Sequence, residues 1–321
     1  MPSPCGRLTV RVQAPARLHL GMLAVAGDGD GARRFGGLGV AVDRPAVVLE
    51  AQPADELTVE GPEAERALAF ARRCSEALGL AGGARLHVLE AIPPHVGLGS
   101  GTKLALAVAQ ALAALHGRTV DAPGLARAAG RAARSAVGMW TFALGGLVVE
   151  GGVRPGAERP APLLMRYAVP EDWRIVLVVP AAEPGLSGPA EVQAFARLVP
   201  SGERSAAIAQ LVLTSLLPAL VERDLQEFGD ALTRVQRLVG DAFSPVQGGR
   251  FHPQADALVD ALVRAGAAGA GQSSWGPAVY GITGSEAAGR ELARRMQDLV
   301  GDAGSVELVA FDNQGVRVQR S

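Results

Sequence analysis

The chain has 321 residues, 48% of them hydrophobic, which is enough to build one large core or two ordinary ones. Its 31 basic and 32 acidic residues leave a net charge of −1, which argues against nucleic acid or an anionic membrane as the main partner. Any anion site must therefore be a local cluster of cations. The sequence opens without the apolar core of a signal peptide, and we expect no membrane-spanning run and a cytoplasmic location.

The cysteines and other potential metal ligands form no recognisable site. Cys5 lies near the start of the chain and Cys74 lies in a predicted helix, and the pair has no metal or redox spacing. We therefore expect free thiols in a reducing compartment. We assign no metal ligand, and the sequence leaves open whether a metal binds protein side chains directly.

The first predicted strands carry two basic side chains on one face. Residues 7–13 and 17–23 alternate like strands, and we expect Ala14-Pro15-Ala16 to break the pattern between them. Arg17 and His19 share the face opposite Leu18 and Leu20. His19 is equally consistent with a hydrogen-bonded structural histidine and with a site residue.

Two adjacent arginines precede the next strand. Arg33 and Arg34 stand before Phe35 and the pair Gly36-Gly37, which leads into a strand over 38–42. Guanidinium groups bind carboxylate or phosphate in a bidentate way, and glycines permit a ligand to come close. The pattern predicts a substrate role for at least one of these arginines, with a solvated surface position as the alternative.

A glycine-rich loop follows a predicted strand over 85–90 and precedes a predicted helix over 104–115. Gly97, Gly99 and Gly101 let the backbone approach a ligand, and amides at a helix N-terminus favour phosphate. Lys103 in the first helical turn would be favourable only beside an anion. The alternative is an ordinary strand–turn–helix with a solvated lysine. The loop is neither a Walker A motif nor a dinucleotide fingerprint.

The remaining elements predict a second half of mixed structure. Helices are expected over 63–79 and 123–134, and Trp140 is expected in the core, with stacking on a ligand as the alternative. A connection rich in Pro, Ala and Gly over 155–165 predicts two domains, 1–160 and 161–321. Beyond it we predict strands over 174–179, 278–283 and 306–311, and helices over 203–221, 224–239, 254–265 and 285–299.

Three motifs now stand in order, APARLHLGM (14–22), PPHVGLGSGT (93–102) and GAGQSSWGPAVYGI (269–282). This set resembles the GHMP kinase superfamily. The resemblance implies an α+β fold of two lobes with the site between them. The N-terminal lobe would carry the glycine-rich phosphate loop before a helix, and the C-terminal lobe would be a ferredoxin-like α/β sandwich.

A finer resemblance rests on RRFGGLGVAVDRP (33–45), HVGLGSGTKLALAVA (95–109), RSAVGMWTFALGGLVVEGG (134–152) and GLSG (185–188). These segments resemble the β-ribofuranosylaminobenzene 5′-phosphate synthase family. That family implies transfer of phosphoribose from phosphoribosyl diphosphate to 4-aminobenzoate or 4-hydroxybenzoate, with loss of carbon dioxide and pyrophosphate, in tetrahydromethanopterin biosynthesis. It also implies Mg²⁺ on the diphosphate, small-molecule substrates and a homodimer.

The resemblance implies site roles at matching positions. Arg33 or Arg34 would hold the benzoate carboxylate, Lys103 would stabilise the leaving diphosphate, and His19 would hydrogen-bond the substrate or leaving group. Further substrate-binding positions would be Arg17, Gly36, Gly37, Gly97, Leu98, Gly99, Ser100, Gly101, Thr102, Trp140, Ser187, Gly269, Gly271, Gln272, Ser273 and Ser274.

Two alternative functions remain open at this stage, an ATP-dependent small-molecule kinase and a binding protein that has lost its chemistry. Residues 134–149 contain no Asp or Glu that could deprotonate an acceptor alcohol. A missing general base typically costs about 10²–10⁴-fold in rate, which disfavours the kinase.

Overall fold

The computed structural model describes residues 8–24, 32–186 and 188–321. The strands are β1 (Val10–Met22), β2 (Gly37–Ala54), β3 (Thr58–Glu60), β4 (Gly83–Glu90), β5 (Leu147–Glu150), β6 (Leu163–Tyr167), β7 (Arg174–Pro180), β8 (Gly269–Gln272), β9 (Val279–Thr283), β10 (Gly304–Ala310) and β11 (Arg317–Arg320). The helices are α1 (Ala64–Leu78), α2 (Ser100–Leu115), α3 (Ala122–Ala128), α4 (Val137–Leu144), α5 (Gly188–Arg197), α6 (Gly202–Leu211), α7 (Leu217–Glu222), α8 (Leu225–Gln247), α9 (Asp256–Arg264) and α10 (Glu286–Val300).

The first lobe is built on a large sheet with the strand order β11-β1-β2-β4-β3, in which β5 pairs with β2 and β6 pairs with β5. All pairs are antiparallel except β3 with β4. Helix α2 packs against β1 and β2, and it is apolar almost all round because α1, α3 and α4 cover its other sides. This packing holds the glycine-rich loop beside the middle of β1, where the Arg17 amide donates to the Leu98 carbonyl over 3.2 Å.

The predicted break at Ala14-Pro15-Ala16 is wrong, because β1 runs through it. The pairing with β2 shifts register between Pro15 and Ala16, where Pro15 faces Ala46 and Ala16 faces Val42. A β-bulge absorbs the extra residues of β2 and lets both strands continue. Arg17 and His19 therefore lie on one continuous strand, on the same face, as the alternation predicts.

The second lobe is a four-stranded antiparallel sheet with the order β10-β7-β9-β8. Its central strand β7 is buried on both faces. Val176 and Val178 pack into the core formed with α9 and α10, whereas Ile175 and Leu177 belong to the larger core shared with α8. The two-lobed α+β fold with a C-terminal sandwich is thus confirmed.

The large sheet also takes strands from late in the chain. Strand β6 and strand β11 both follow residue 160, yet they pair with β5 and β1. The domain division at residue 160 stays a prediction.

One helical stretch differs from the expectation that no run reaches membrane length. Helix α6, a π-helical segment (Val212–Leu216) and α7 together span Gly202–Glu222, and this stretch is long and apolar enough to cross a bilayer by length and composition. Buried helices of globular proteins meet the same criteria, so a single such helix is weak evidence of a membrane span. Here Ile208, Val212 and Leu216 are buried in the larger core.

Candidate active site

A cavity of about 230 Å³ lies between the two lobes. Its walls come from the end of β1, the segment between α3 and α4, α5, the second half of α8, and the loop that follows β8. The glycine-rich loop borders it through Thr102 at the start of α2.

The segment that precedes α4 brings two arginines into this cavity. The helix predicted over 123–134 ends at Ala128, because Gly130 and Ala132 adopt left-handed φ angles of 64° and 62°. The chain turns there, so that Arg131 and Arg134 line the cavity instead of a helix surface. The predicted helix is therefore too long by about one and a half turns.

The cavity is strongly cationic. Arg17, Arg131, Arg134 and Arg250 line it, and Glu191 is the carboxylate among its described lining residues. Arg134 Nη2 donates to Glu191 Oε2 over 3.0 Å. Burial lowers the pKa of Arg17 to about 10, which still leaves the group protonated at neutral pH. A local cation cluster of this kind suits an anionic ligand despite the near-zero net charge.

Several polar groups around the cavity lack partners. Among the described residues, the buried side-chain atoms without a hydrogen bond are Arg131 Nε, Arg134 Nη1, Gln247 Oε1 and Tyr280 OH, and the first three belong to cavity-lining residues. A buried unpaired polar atom costs about 1–3 kcal/mol. We infer that the side chains around the cavity gain partners when a polar ligand is bound.

Four aromatic rings form one wall of the same cavity. Phe243 stacks on Trp275 with ring centres 4.6 Å apart, and Phe195 meets Trp275 edge-on at 5.2 Å. Phe35 lies edge-on to Phe195 at 5.3 Å, and the guanidinium of Arg134 lies 5.6 Å from the Phe195 ring centre. The cavity therefore offers an aromatic wall beside a carboxylate-binding cation.

A chain of hydrogen bonds leads from the cavity to a buried carboxylate. His19 Nε2 lies 3.3 Å from Ser135 Oγ, and Ser135 Oγ donates to Glu150 Oε1 over 3.2 Å. The amides of Ala136 and Gly152 also donate to Glu150. Burial, opposed by these hydrogen bonds, raises the pKa of Glu150 to about 7. Burial, with Arg17 nearby, lowers the pKa of His19 to about 3 and keeps the imidazole neutral.

The glycine-rich loop is held by the C-terminal lobe. The carbonyl of Gly97 accepts from Arg17 Nη1 and, over 2.7 Å, from Ser273 Oγ, which also accepts from the His19 amide over 2.9 Å. Gly97 has a φ of 94°, and a Cβ there would overlap the carbonyl oxygen of Ser273. The close approach that this glycine permits is thus to the protein itself.

Comparison with known proteins agrees with this geometry. Residues 65–146 match the GHMP kinases N terminal domain, and residues 216–302 match the GHMP kinases C terminal model. Two relatives named beta-ribofuranosylphenol 5′-phosphate synthase cover most of the chain. The one from Archaeoglobus fulgidus is 34% identical over 97% of this chain and 99% of its own length. The one from Methanothermobacter thermautotrophicus is 31% identical over 85% and 88%.

The chain belongs to the β-ribofuranosylphenol 5′-phosphate synthase family. Among solved structures, homoserine kinase from Cytophaga hutchinsonii superposes with a TM-score of 0.74 at 20% identity, covering 99% of this chain and all of that one. Mevalonate kinase from Methanococcus jannaschii superposes with a TM-score of 0.70 at 16% identity over 97% of this chain and all of that one. These likenesses show that the synthase family shares the GHMP kinase fold.

Five of the positions predicted from the synthase family motifs line the cavity, namely Arg17, His19, Thr102, Gln272 and Ser274. The glycine-rich motif also holds Trp275, which the sequence analysis passed over although it follows Ser274 directly. Arg131, Arg134, Phe195 and Glu150 were likewise missed. The signal for Glu150 was a carboxylate at the end of the apolar strand Leu147–Glu150.

Arg33 and Arg34 are absent from the described cavity lining, and a substrate role for either stays a prediction. Arg33 Nη1 donates to the Gly152 carbonyl over 2.8 Å, and the backbone of Arg34 pairs with Val153. Gly36 and Gly37 lie beside β5 and the turn that follows it. A Cβ at Gly36 would make ordinary contacts of 3.4–3.6 Å with residues 150–152, and a Cβ at Gly37 would lie 3.3 Å from the Gly21 carbonyl and from Val137.

Lys103 is fully buried and its Nζ donates to Thr141 Oγ1 over 3.0 Å. Burial lowers its pKa well below the usual value, Arg17 lowers it further, and Asp312 opposes this. The side chain is absent from the described cavity lining, and burial disfavours its charged form. Its role in stabilising the leaving diphosphate stays a prediction.

Replacing this lysine should distinguish a buried structural amine from a cation that binds the diphosphate. We expect Lys103→Met to raise the free energy of unfolding at pH 7 by about 1–3 kcal/mol, because a poorly paired buried amine is removed. The unfolded lysine has a pKa of about 10.4 and binds a proton that the folded state resists, so the unchanged chain should gain stability as pH rises toward that value. Urea unfolding at pH 7 and pH 9 measures both effects. A large loss of substrate affinity in Lys103→Met would restore the phosphate role.

The other predicted positions serve packing in the structure. Gly269 and Gly271 lie against Gly229 and Gln236 of α8, where a Cβ would overlap those residues. Trp140 Nε1 donates to the Ala161 carbonyl over 2.9 Å, in keeping with the expected core position. Leu98 is buried, Gly99 packs on Arg17, and Gly101 lies beside Arg66 and Arg131. Ser100 is the first residue of α2. Ser187 and Cys5 lie outside the described residues, and Cys74 is a free buried thiol in α1.

Metal ligands are sparse in the described part of the chain, where no group of three or more His, Cys, Asp and Glu could hold an ion. Glu191 is the cavity carboxylate, and it is paired with Arg134. An ion carried by substrate phosphates needs few protein ligands, and the Mg²⁺ expected with the diphosphate stays a prediction.

Proposed function

We propose that the chain transfers phosphoribose from phosphoribosyl diphosphate to the ring carbon of 4-hydroxybenzoate, with release of carbon dioxide and pyrophosphate, in tetrahydromethanopterin biosynthesis. The observation that carries the proposal is one cavity that combines four aromatic rings with partly buried arginines. An aromatic carboxylate and a phosphorylated sugar together need both aromatic contacts and cations. The hydroxyl ring is preferred over 4-aminobenzoate because the relatives are named for a phenol product.

The side chains divide between the two substrates. Arg17 contacts the glycine-rich loop through Gly97, and Arg131 lies beside Gly101, so these two cations would hold the phosphates. Arg134 lies over Phe195 and would hold the benzoate carboxylate beside the aromatic wall. This arrangement would keep the ring carbon that bears the carboxylate next to ribose C1.

The proposed reaction requires a site that stabilises the charges that develop on ribose C1 and on the leaving diphosphate. Departure of diphosphate leaves positive character at ribose C1, and fixed cations and loop amides stabilise the leaving anion. Mg²⁺ would supply further charge neutralisation on the diphosphate, with Glu191 as the nearby carboxylate. The bond between the ring carbon and the carboxyl group would then break, so that carbon dioxide leaves Arg134 and the ring regains its aromaticity. A homodimer, a cytoplasmic location and the absence of nucleic acid or membrane partners are part of this proposal.

A single assay separates this function from its two alternatives. Purified protein would be mixed with phosphoribosyl diphosphate, Mg²⁺ and carboxyl-labelled 4-hydroxybenzoate or 4-aminobenzoate. We expect release of labelled carbon dioxide that requires both substrates and proceeds without ATP. ATP hydrolysis stimulated by an alcohol would favour the kinase instead, and tight phosphosugar binding without turnover would favour a binding protein.

The aromatic wall gives a second test. Phe195 lies on α5 and is only partly buried, so Phe195→Ala should fold. We expect its KM for the benzoate to rise roughly tenfold, from lost ring contact worth about 1.5 kcal/mol, while the KM for phosphoribosyl diphosphate changes by less than about threefold. Steady-state kinetics with each substrate varied in turn measures the split. Equal rises in both KM values would mean that the benzoate ring does not bind against Phe195.

A further inference from the structure

The hydrogen-bond chain from His19 to Glu150 has a defined direction. Ser135 has one hydroxyl proton, and it donates that proton to Glu150 Oε1. Ser135 Oγ must therefore accept from its other neighbours, the Val137 amide at 3.3 Å and His19 Nε2 at 3.3 Å. While Glu150 is ionised, this pattern requires the His19 tautomer with its proton on Nε2, and the lone pair of Nδ1 is left for a ligand.

The two ends of the chain differ in their surroundings. His19 and Ser135 line the cavity, whereas Glu150 is fully buried behind them. Within the described residues Nδ1 of His19 makes no hydrogen bond. Burial gives Glu150 a pKa of about 7, so its carboxylate can take up a proton near neutral pH, whereas His19 is a weak base on its own. A proton accepted at Nδ1 is therefore stable only if it moves on.

We propose that His19, Ser135 and Glu150 form a proton relay that accepts the para-hydroxyl proton of the benzoate and returns it to the product. This inference rests on the proposed function. His19 is the catalytic residue that touches the hydroxyl, and Ser135 and Glu150 act through it. Among the groups of the two substrates, the ring hydroxyl is the one that must lose its proton for the ring to become a strong carbon nucleophile.

The steps balance without a further reactant. The hydroxyl proton moves to His19 Nδ1, the Nε2 proton moves to Ser135 Oγ, and the Ser135 proton moves to Glu150 Oε1. The oxygen electron pair enters the ring, the ring carbon bonds to ribose C1, and the bond from C1 to diphosphate breaks with its electrons on diphosphate. The bond to the carboxyl group then breaks, its electrons restore the ring as a phenolate, and the relay returns the proton.

An amino group needs no such relay. The nitrogen lone pair of 4-aminobenzoate activates the ring without loss of a proton, and decarboxylation regenerates the neutral amine. A purely structural Glu150, holding the amides of Ala136 and Gly152, would instead matter equally for both benzoates. The comparison of the two substrates therefore distinguishes a relay from a structural role.

The test compares Glu150→Gln and Ser135→Ala with the unchanged chain on both benzoates. Ser135→Ala cuts the relay but leaves Glu150 with its backbone donors, so it covers the case in which Glu150→Gln does not fold. We expect kcat with 4-hydroxybenzoate to fall by about 10²–10³-fold, and kcat with 4-aminobenzoate to fall less than about fivefold. With 3,5-difluoro-4-hydroxybenzoate, whose hydroxyl is already ionised at neutral pH, the loss should shrink to less than about tenfold.

A matched control is Asp43→Asn, which alters a carboxylate outside the cavity lining that accepts the Ala310 amide over 2.9 Å. It should leave the ratio of the two kcat values unchanged. Equal losses with all three benzoates in both relay variants would overturn the relay while the proposed function stands. Absence of carbon dioxide release by the unchanged chain with every benzoate would overturn the proposed function and the relay together.

Discussion

Arg134→Ala should lower kcat/KM for the benzoate by about 10²-fold or more. A charge-assisted hydrogen bond to a buried carboxylate is worth about 1.5–3 kcal/mol, and truncating one partner of such a pair adds the cost of the charge left behind. Arg134 stands over the Phe195 ring and donates to Glu191, so it is already held where a benzoate carboxylate would bind. Initial rates at varied benzoate concentration measure the loss.

The matched control is Arg33→Ala. Arg33 also donates a guanidinium hydrogen bond, to the Gly152 carbonyl, but it is exposed and does not line the described cavity. We expect it to change kcat/KM by no more than about twofold. Because Arg134→Ala leaves Glu191 without its partner, Arg134→Ala with Glu191→Ala should remain as inactive as the single variant. Recovery in the double variant would mean that the unpaired Glu191, and not the lost arginine, caused the defect.

The sequence was most informative where local pattern and tertiary contact agree. The glycine-rich loop before α2 and the buried strand β7 followed from apolar periodicity and turn residues, because these elements pack as their patterns demand. The resemblance supplied the two-lobed architecture. It also placed Arg17 and His19 at the site, since β1 keeps both side chains on one face.

The missing site residues depend on contacts that the sequence does not display. Arg131 and Arg134 enter the cavity because Ala132 has a left-handed φ. The helical pattern of the sequence does not predict this conformation for an alanine. Glu150 matters because the start of α4 folds back onto the end of β5. Arg33 donates to the Gly152 carbonyl in the turn after β5, a contact that its position before two glycines does not display.

The last expected result concerns the loop that holds the site together. Gly97→Ala should destabilise the protein by about 1–3 kcal/mol more than Gly82→Ala does, and should reduce carbon dioxide release by about 10²-fold. Both glycines have left-handed φ angles, 94° and 89°, so both variants carry the backbone cost of about 1–2 kcal/mol. A Cβ at Gly82 meets nothing within 4 Å, whereas a Cβ at Gly97 overlaps the Ser273 carbonyl. The difference between the variants in urea unfolding therefore isolates this contact.

The effect on activity follows because the Gly97 carbonyl accepts from both Arg17 and Ser273, and Ser273 Oγ accepts from the His19 amide. Pushing the loop away would move Arg17 and His19 together. Equal stability and activity in the two variants would mean that the loop does not depend on the C-terminal lobe.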